Sequence, residues 1–258
     1  MSSSFWTWLL KGINPGTVIT LNQPFSSKWK ILKKLNEYEF QVNQEENNDY
    51  GSRSFASAKF ECSDPKKTSK KAFMRMYIQL PHRKTEMDDA DTRGRQAVAF
   101  TPPELNAYQD LTQNHSSNTP KLIGYKTGTQ DRSGPVPGGF IIWLVWEIVP
   151  GLRLGDDDGA GPFWALESEE REQVRTAFVN ALPKLMENGW FPTVSSARSL
   201  VWHRETETLY FVGRFSKTSK RRLPLEFAEW IATFELAIPV PSVRWVDDDW
   251  HKDSSRWK

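Results

Sequence analysis

The stretch Val136-Pro-Gly-Gly-Phe-Ile-Ile-Trp-Leu-Val-Trp-Glu-Ile-Val-Pro-Gly151 decides how this chain folds. Its apolar run from Phe140 to Trp146 is seven residues long. That length suits a strand better than a helix, and apolar residues at successive positions indicate a strand buried on both faces. Turn residues lie on both sides of the run, at 137–139 and at 150–151. We therefore predict a central strand that the rest of the chain covers.

The chain after this strand shows a helix and then a hairpin. Apolar residues at helical spacing from Leu166 to Asn188 predict one long helix, and the acidic residues of its first half suit the helix dipole. The segment from Leu200 to Gly213 has two apolar runs around a polar turn, which predicts a β-hairpin. Pro224 to Ile238 is predicted to form a last helix.

The chain before the central strand predicts further strands and one helix. Strands are expected over Ser27–Val42, Ala58–Cys62 and Ala72–Leu80, with a short strand at Lys121–Tyr125. The segment Thr101–Leu111 begins with a threonine, two prolines and a glutamate, which together are typical of a helix N-terminus. The polar segments at 43–57 and 86–96 are predicted to be loops.

Composition limits the class of protein. The chain has 258 residues, a net charge of +2 and a single cysteine, Cys62. One cysteine excludes an intrachain disulfide and favours a reducing compartment, so we predict a cytoplasmic protein. No apolar run approaches the ~20 residues that cross a bilayer, so no membrane is expected. Four histidines and one cysteine do not suit a structural zinc site. We predict neither a metal nor a cofactor, and no DNA.

These segments together resemble a known family of proteins. The buried strand ending in Glu147-x-Val-Pro-Gly, the helix, the loop and the hairpin resemble the middle of small fungal protein-kinase-like proteins. In that family the loop before the hairpin reads His-x-Asp-Leu-x-Pro-x-Asn-x-Leu, and the hairpin ends in Asp-Phe. On that pattern the catalytic aspartate falls on Val194, the metal-binding asparagine on Ser199, and the second metal-binding aspartate on or near Gly213.

The resemblance covers roughly residues 55 to 216 and implies a fold. It predicts an α+β protein with a degenerate protein-kinase-like, two-lobed fold. A strand-rich N-terminal lobe with one helix would span residues 1–146, with a small and mostly antiparallel sheet. A reduced C-terminal helical lobe, with the hairpin and a loose tail, would span residues 147–258.

Kinase chemistry is not expected from this chain. No aspartate lies between Gly159 and Val246, and no glycine lies between Thr17 and Tyr50. Phosphoryl transfer needs carboxylates that hold magnesium against the phosphates, and a glycine-rich loop lets backbone amides approach them. The resemblance leaves one kinase-like interaction, a partly buried pair of Arg75 with Glu104. Glu104 would equally serve the helix N-terminus.

Three functions stay open at this point. The chain looks similar to the fungal arginine-containing cyclodipeptide synthases, which join two amino acids delivered on tRNA. The resemblance implies arginyl-tRNA and a second aminoacyl-tRNA as partners. The alternative is a catalytically dead pseudokinase that binds a protein partner as an adaptor. The third reading is a small-molecule phosphotransferase with displaced catalytic groups. The sequence identifies neither the nucleophile nor the oligomeric state.

The first function assigns candidate residues. Arg75, Glu104 and Glu147 are the catalytic candidates. The acidic triplet Asp156, Asp157 and Asp158 is the candidate for binding the cationic arginine substrate. Basic runs would track an RNA backbone, although such runs are also common on solvated faces. The RNA-binding candidates are Lys66, Lys67, Lys70, Lys71, Lys217, Lys220, Arg221 and Arg222.

Overall fold

The computed structural model describes residues 13–218, 227–238 and 257, which fall into two compact units. Unit 1 holds the described residues up to Pro102 together with Leu122–Ile148. Unit 2 holds Pro103–Lys121 and the described residues from Val149 onward. The lobe boundary between residues 146 and 147 stays a prediction.

Unit 1 is built on a six-stranded antiparallel sheet. Its strands are β1 (Val18–Leu21), β2 (Ser27–Phe40), β3 (Phe55–Ser63), β4 (Lys71–Gln79), β5 (Leu122–Thr129) and β6 (Phe140–Glu147). The spatial order is β1-β2-β3-β4-β6-β5, so the last strand lies between two others. Hydrogen bonds along both edges satisfy its backbone, which explains how an entirely apolar run is accommodated. The predicted α+β class, with a mostly antiparallel sheet, is confirmed.

One face of this sheet forms the core of unit 1. Alternate residues of β3 and β4, among them Phe60 and Met74, pack there with Trp143 of β6. Cys62 lies in this core and is a free thiol. Burial raises the pKa of the Cys62 thiol from 9.0 to about 12. The core therefore keeps the single cysteine protonated at neutral pH.

The connection from β5 to β6 is fixed by one buried amide. The side chain of Gln130 accepts a hydrogen bond from Val136 N at 2.9 Å and donates to Gln79 O, also at 2.9 Å. Its own backbone N–H donates to Gly139 O at 2.8 Å. These bonds join the glycine-rich turn to β4, so the turn holds β6 in register.

Two short helices of unit 1 correct the sequence analysis. Residues 43–57 and 86–96 were expected to be loops, but α1 spans Gln44–Tyr50 and α2 spans Ala90–Gly94. The first begins with a capping box, in which Asn43 and Glu46 bind each other's backbone amides. The second begins at Asp89, whose carboxylate accepts from two backbone N–H groups. Both helices depend on caps rather than on an apolar stripe.

Unit 2 combines helices with short strands. Its helices are α3 (Pro103–Gln113), α4 (Gly161–Trp164), α5 (Ser168–Glu187) and α6 (Phe227–Thr233). Its strands are β7 (Leu152–Arg153), β8 (Trp190–Pro192), β9 (Leu200–His203), β10 (Thr208–Phe211) and β11 (Phe215–Lys217). The predicted hairpin is confirmed as β9 and β10, and the predicted long helix as α5. The last helix was expected over Pro224–Ile238; it ends at Thr233 rather than at Ile238, and residues 224–226 lie outside the described residues. Among the helices that the structure describes, none has the length and apolar character to span a membrane.

The core of unit 2 is aromatic. Phe178 of α5 lies 5.8 Å from the Phe211 ring and 4.9 Å from the Phe234 ring, measured between centroids. All three side chains are fully buried. The long helix, the hairpin and the segment after α6 therefore meet at one point.

A buried carboxylate joins α5 to the hairpin. Glu170 accepts a hydrogen bond from Trp202 Nε1 at 2.9 Å and from Arg204 Nε at 2.7 Å, and a second guanidinium nitrogen also contacts it. The hydrogen bond from Arg204 lowers the pKa of Glu170 below its ordinary value of 4.5. Glu170 is almost fully buried, whereas Arg204 is exposed, so solvent weakens the ion pair from one side.

We expect Glu170→Gln to lower the free energy of unfolding by about 1–3 kcal/mol at neutral pH, because the charged acceptor is lost. Since the folded-state pKa is depressed, the carboxylate stabilises the folded chain fully above pH 4.5. That contribution is lost as the pH falls from this value through the folded-state pKa. Urea unfolding measures the difference in unfolding free energy between the wild type and Glu170→Gln, and this difference should be smaller at about pH 3 than at neutral pH.

The matched control is Glu169→Gln, because Glu169 neighbours Glu170 and is exposed. This change should alter the free energy of unfolding by less than about 0.5 kcal/mol. Equal effects of the two substitutions would show that the carboxylate of Glu170 does not stabilise unit 2.

Candidate functional site

Two segments of unit 2 hold the three positions of the kinase pattern: the loop between β8 and β9 contains Val194 and Ser199, and Gly213 follows β10. Ser199 Oγ donates to Val194 O at 2.5 Å, and Val212 N donates to Ser199 O at 2.8 Å. Gly213, with φ of +104°, follows Val212 directly, and its carbonyl accepts from Tyr108 Oη at 3.1 Å. The main chain around Val194, Ser199 and Gly213 thus forms one compact arrangement within unit 2.

None of these three positions supplies a carboxylate. Val194 is apolar and 39% exposed, and Gly213 has no side chain. Ser199 is buried, and its hydroxyl is used by the hydrogen bond to Val194. Magnesium held against phosphates needs hard oxygen ligands, usually carboxylates. The arrangement therefore keeps a stable loop without the groups of phosphoryl transfer.

Two carboxylates lie beside this loop. Glu235 Oε2 accepts from Ala197 N at 3.2 Å, and Asp157 Oδ1 lies 3.8 Å from Arg198 Nη1. Sequence reasoning missed Glu235, because it lies 38 residues from Ala197, in the turn after α6. Its φ of +63° is unusual for a residue with a side chain, but no sequence pattern signals it.

The acidic triplet forms a tight turn. Asp156 Oδ1 accepts from Asp158 N at 2.9 Å, and Asp156 N donates to Gly159 O at 2.9 Å. Asp157 is fully exposed. Within the described part of the chain, no three histidine, cysteine, aspartate or glutamate side chains are placed to hold a metal ion. Binding of a cationic substrate by this triplet stays a prediction.

Arg75 lies in the middle of the sheet of unit 1. It is paired with Lys59 of β3 and with Leu144 of β6. Its guanidinium carbon lies 5.6 Å from the centroid of the Trp146 ring, and Lys59 Nζ lies 3.8 Å from that of Phe73. Two cations and two aromatic rings therefore share one face of the sheet, where cation–π attraction holds them.

The other two catalytic candidates are Glu147 of β6 and Glu104 of α3. Glu147 is paired with Ala72, and strand alternation places it on the opposite face from Arg75. Glu104 is in the first turn of α3 in unit 2 and is 2% exposed. The pairing of Glu104 with Arg75 stays a prediction from the sequence.

The basic run 66–71 covers the turn between β3 and β4 and the first residue of β4. Asp64 Oδ1 accepts from the backbone N–H of Lys66 at 2.8 Å and of Lys67 at 3.3 Å. These bonds lower the pKa of Asp64 and order the turn. The side chains of Lys66, Lys67, Lys70 and Lys71 are exposed. The turn therefore presents positive charge to solvent.

The second basic run is described only in part. Lys217 lies in β11, with its Nζ 5.5 Å from the centroid of the Trp190 ring. The candidates Lys220, Arg221 and Arg222 lie outside the described residues.

Each unit has an open depression. In unit 1, residues 97–100 and strands β5 and β6 line a volume of about 450 Å³ without a charged side chain. In unit 2, α5 and the hairpin turn line about 370 Å³ with Glu169, Glu172 and Glu207. Neither includes a candidate named from the sequence.

Comparison with known proteins gives kinases as neighbours in fold. No family model matches the chain, and no curated protein matches it. It is similar to the structure of vaccinia related kinase 3, with 17% identity, a TM-score of 0.41, and coverage of 83% of this chain and 56% of that kinase. It is also similar to PK-1, the kinase of the Cydia pomonella granulovirus, with 14% identity, a TM-score of 0.45, and coverage of 88% and 75%.

The chain thus spans little more than half the length of vaccinia related kinase 3. At these identities and TM-scores, neither likeness supports an argument about function. What this chain does has to follow from its own residues.

We expect Mg-ATP to leave the thermal unfolding midpoint of the protein unchanged. The reason is the absence of carboxylates at Val194, Ser199 and Gly213. A ligand that binds the folded chain stabilises it by RT ln(1 + [L]/Kd), so a titration by differential scanning fluorimetry detects binding directly. A saturable rise in the midpoint would contradict the expectation. An active protein kinase measured in parallel shows the size of shift that the assay detects.

Proposed function

We propose that the chain is a tRNA-dependent cyclodipeptide synthase of the fungal arginine-containing type, built on a kinase-like scaffold that has lost phosphoryl transfer. It would form a diketopiperazine from two aminoacyl-tRNAs, one of them arginyl-tRNA. The observation that carries the proposal is the loop of unit 2, which is ordered by Val194, Ser199 and Val212 and has no carboxylate at the phosphate-handling positions.

The reaction fits a site without nucleotide chemistry. The α-amine of one aminoacyl group attacks the ester carbonyl of the other, an amide forms, and the first tRNA leaves with its free hydroxyl. The amine of the first residue then attacks the second ester, which closes the ring and releases the second tRNA. The esters are already activated, so no ATP is consumed. The protein has to position the two groups and transfer protons as each amide forms.

The candidate residues of this proposal fall into a catalytic group and a substrate-binding group. Glu104, the buried glutamate of α3, and Arg75 remain the catalytic candidates, with Glu147 as the third. A guanidinium substrate calls for carboxylates, and the exposed turn Asp156–Asp158 offers three of them. Glu235, next to the amide of Ala197, is added by the structure.

RNA binding is supported by the exposed lysines of the turn between β3 and β4. Asp64 orders this turn through the backbone N–H groups of Lys66 and Lys67, and the side chains of both lysines are exposed. Exposed lysines on an ordered turn suit contacts with phosphates. The adaptor function shares the same inactive loop but needs no RNA. The two functions are therefore separated by the product and by tRNA.

We expect the purified protein, supplied with arginyl-tRNA and a mixture of other aminoacyl-tRNAs, to release an arginine-containing cyclic dipeptide that mass spectrometry detects. The same product should accumulate in a host that expresses the chain alone. If neither the reaction nor the host yields a diketopiperazine, the chain is not a cyclodipeptide synthase and the adaptor function replaces it.

Variants separate the two parts of the proposal. Glu104→Gln should reduce product formation by at least about tenfold, the lower range for loss of a proton-transferring group. Glu45→Gln, an exposed residue of α1, is its control. Lys67→Glu should weaken tRNA binding and make it less sensitive to salt, whereas Lys126→Glu on the edge strand β5 should not. A circular dichroism melt of each variant confirms that it is folded.

A further inference from the structure

The long strand β2 is interrupted by two bulges that decide which way its side chains project. Its pairing with β3 shifts register between Ile31 and Lys33 and again between Lys34 and Asn36. Residues paired across an antiparallel sheet share a face. The β2 residues that oppose every second residue of β3, from Ser63 to Phe55, are Lys30, Lys33, Asn36, Tyr38 and Phe40. Lys28 extends the same row, two residues before Lys30.

This arrangement departs from simple alternation. Without the bulges, Lys33 would face away from Lys30, because successive strand residues point to opposite faces. Each bulge adds one residue to β2 and restores the row. The acids of the strand, Glu37 and Glu39, oppose Ala58 and Ala56 and therefore lie on the other face. The strand thus places Lys30 and Lys33 on one face, whereas Lys34 lies on the face of the glutamates and pairs with Glu37 at 2.6 Å between Nζ and Oε2.

Neighbouring strands continue the same chemistry. Lys59 of β3 and Arg75 of β4 also lie on this face. Among the acidic residues of β2, β3 and β4, Glu61 lies on this face, and its Oε1 is 2.7 Å from Lys71 Nζ. At the far end, the Phe55 ring lies 6.0 Å from Tyr38 and 6.1 Å from Phe40, between centroids.

The rings at the end of β2 are exposed. Tyr38 is 46% and Phe40 is 41% exposed, and Lys28, Lys30 and Lys33 are also exposed. Aromatic side chains usually bury their large apolar surface, so exposed rings in line with exposed lysines indicate a binding surface.

We propose that the lysine–aromatic face, defined by Lys28, Lys30, Lys33, Tyr38 and Phe40, binds single-stranded RNA. Lysines follow the phosphates, and the rings stack with unpaired bases. The inference rests on the proposed function in taking RNA as the partner, and it adds that an unpaired stretch of that RNA is what this face contacts.

The geometry favours a single strand over a duplex. From Lys28 to Phe40 the strand runs for about 40 Å, at roughly 3.3 Å per residue. That length suits a stretch of several nucleotides, within the ~4–16 that comparable surfaces cover. A duplex keeps its bases stacked on each other and would use the lysines alone. An acidic peptide would likewise leave the rings without a role.

The test is binding to the full chain, measured by fluorescence anisotropy. The probes are an unstructured, labelled RNA of about 12 nucleotides and a duplex of the same length. We expect the single strand to bind at least about tenfold more tightly than the duplex, because only its bases reach the rings. Equal affinity for the two probes would overturn the proposal.

Charge on the face is tested by two neighbouring lysines. Lys33 and Lys34 are adjacent in sequence but oppose Glu61 and Phe60, so they lie on opposite faces. Lys33→Glu should weaken RNA binding and reduce the slope of log K against log salt by about 0.7, the value for one lost phosphate contact. Lys34→Glu should leave the slope unchanged. Equal slopes for the two variants would rule out this face.

Stacking is tested at the aromatic end. Tyr38→Ala and Phe40→Ala should each weaken single-strand binding by roughly 5- to 100-fold, without changing duplex binding. Tyr38→Leu keeps an apolar side chain without a ring, and should lose binding to the same extent even if the alanine variant folds poorly. Tyr50→Ala removes an exposed ring of α1, which is not part of the lysine–aromatic face, and should have no effect. Wild-type affinity in Tyr38→Leu would overturn stacking.

The outcomes distinguish this inference from the function on which it rests. Single-strand binding without diketopiperazine formation would retain the face and reject the synthase. Diketopiperazine formation that is unaffected by Lys33→Glu and Tyr38→Leu, together with unchanged RNA binding, would retain the synthase and reject the face.

Discussion

The hydrogen bonding of β6 along both of its edges is the constraint on which unit 1 depends. This strand has apolar side chains on both faces, so it is stable only where neighbours on each edge satisfy its backbone. The chain provides β5 first and then turns back, with the buried amide of Gln130 holding the turn. Once β6 is in register, β4 presents its alternate residues to the core, and Arg75 takes its place on the opposite face.

The loop between β8 and β9 of unit 2 is held by a small set of hydrogen bonds. In an active kinase, carboxylates hold magnesium against the phosphates and orient the substrate hydroxyl. In unit 2 the hydroxyl of Ser199 and a main-chain bond from Val212 hold the loop. These bonds use the Ser199 hydroxyl and main-chain groups, so the order of the loop does not require a carboxylate at Val194, Ser199 or Gly213. This arrangement is compatible with a synthase and with an adaptor.

The apolar patterns predicted most of the fold, and their failures have physical causes. The apolar run from Phe140 was sufficient to predict β6, and the apolar periodicity was sufficient to predict α5, because burial alone specifies those two elements. The helices α1 and α2 escaped prediction because capping by Asn43 and Asp89 forms them without an apolar stripe. The bulges of β2 escaped it as well, since a register shift depends on the partner strand and leaves no pattern in the strand itself.

The candidate site was less accessible to sequence reasoning. Val194, Ser199 and Gly213 were named from a resemblance in the sequence, and the structure joins their segments by the bonds from Ser199 to Val194 and from Val212 to Ser199. Glu235 could not be found, since its approach to Ala197 depends on where the last helix ends. The sequence also could not predict that Lys33 and Lys30 share a face, because this depends on how β2 pairs with β3.

The burial of Cys62 has a practical consequence for anyone who wishes to observe this molecule in solution. With its pKa near 12 and its sulfur inside the core, this thiol reacts poorly with maleimides and with oxidants. The wild-type chain is therefore already a silent background for site-directed labelling. A cysteine introduced at an exposed position would carry a dye or a spin label alone, without prior removal of the native residue.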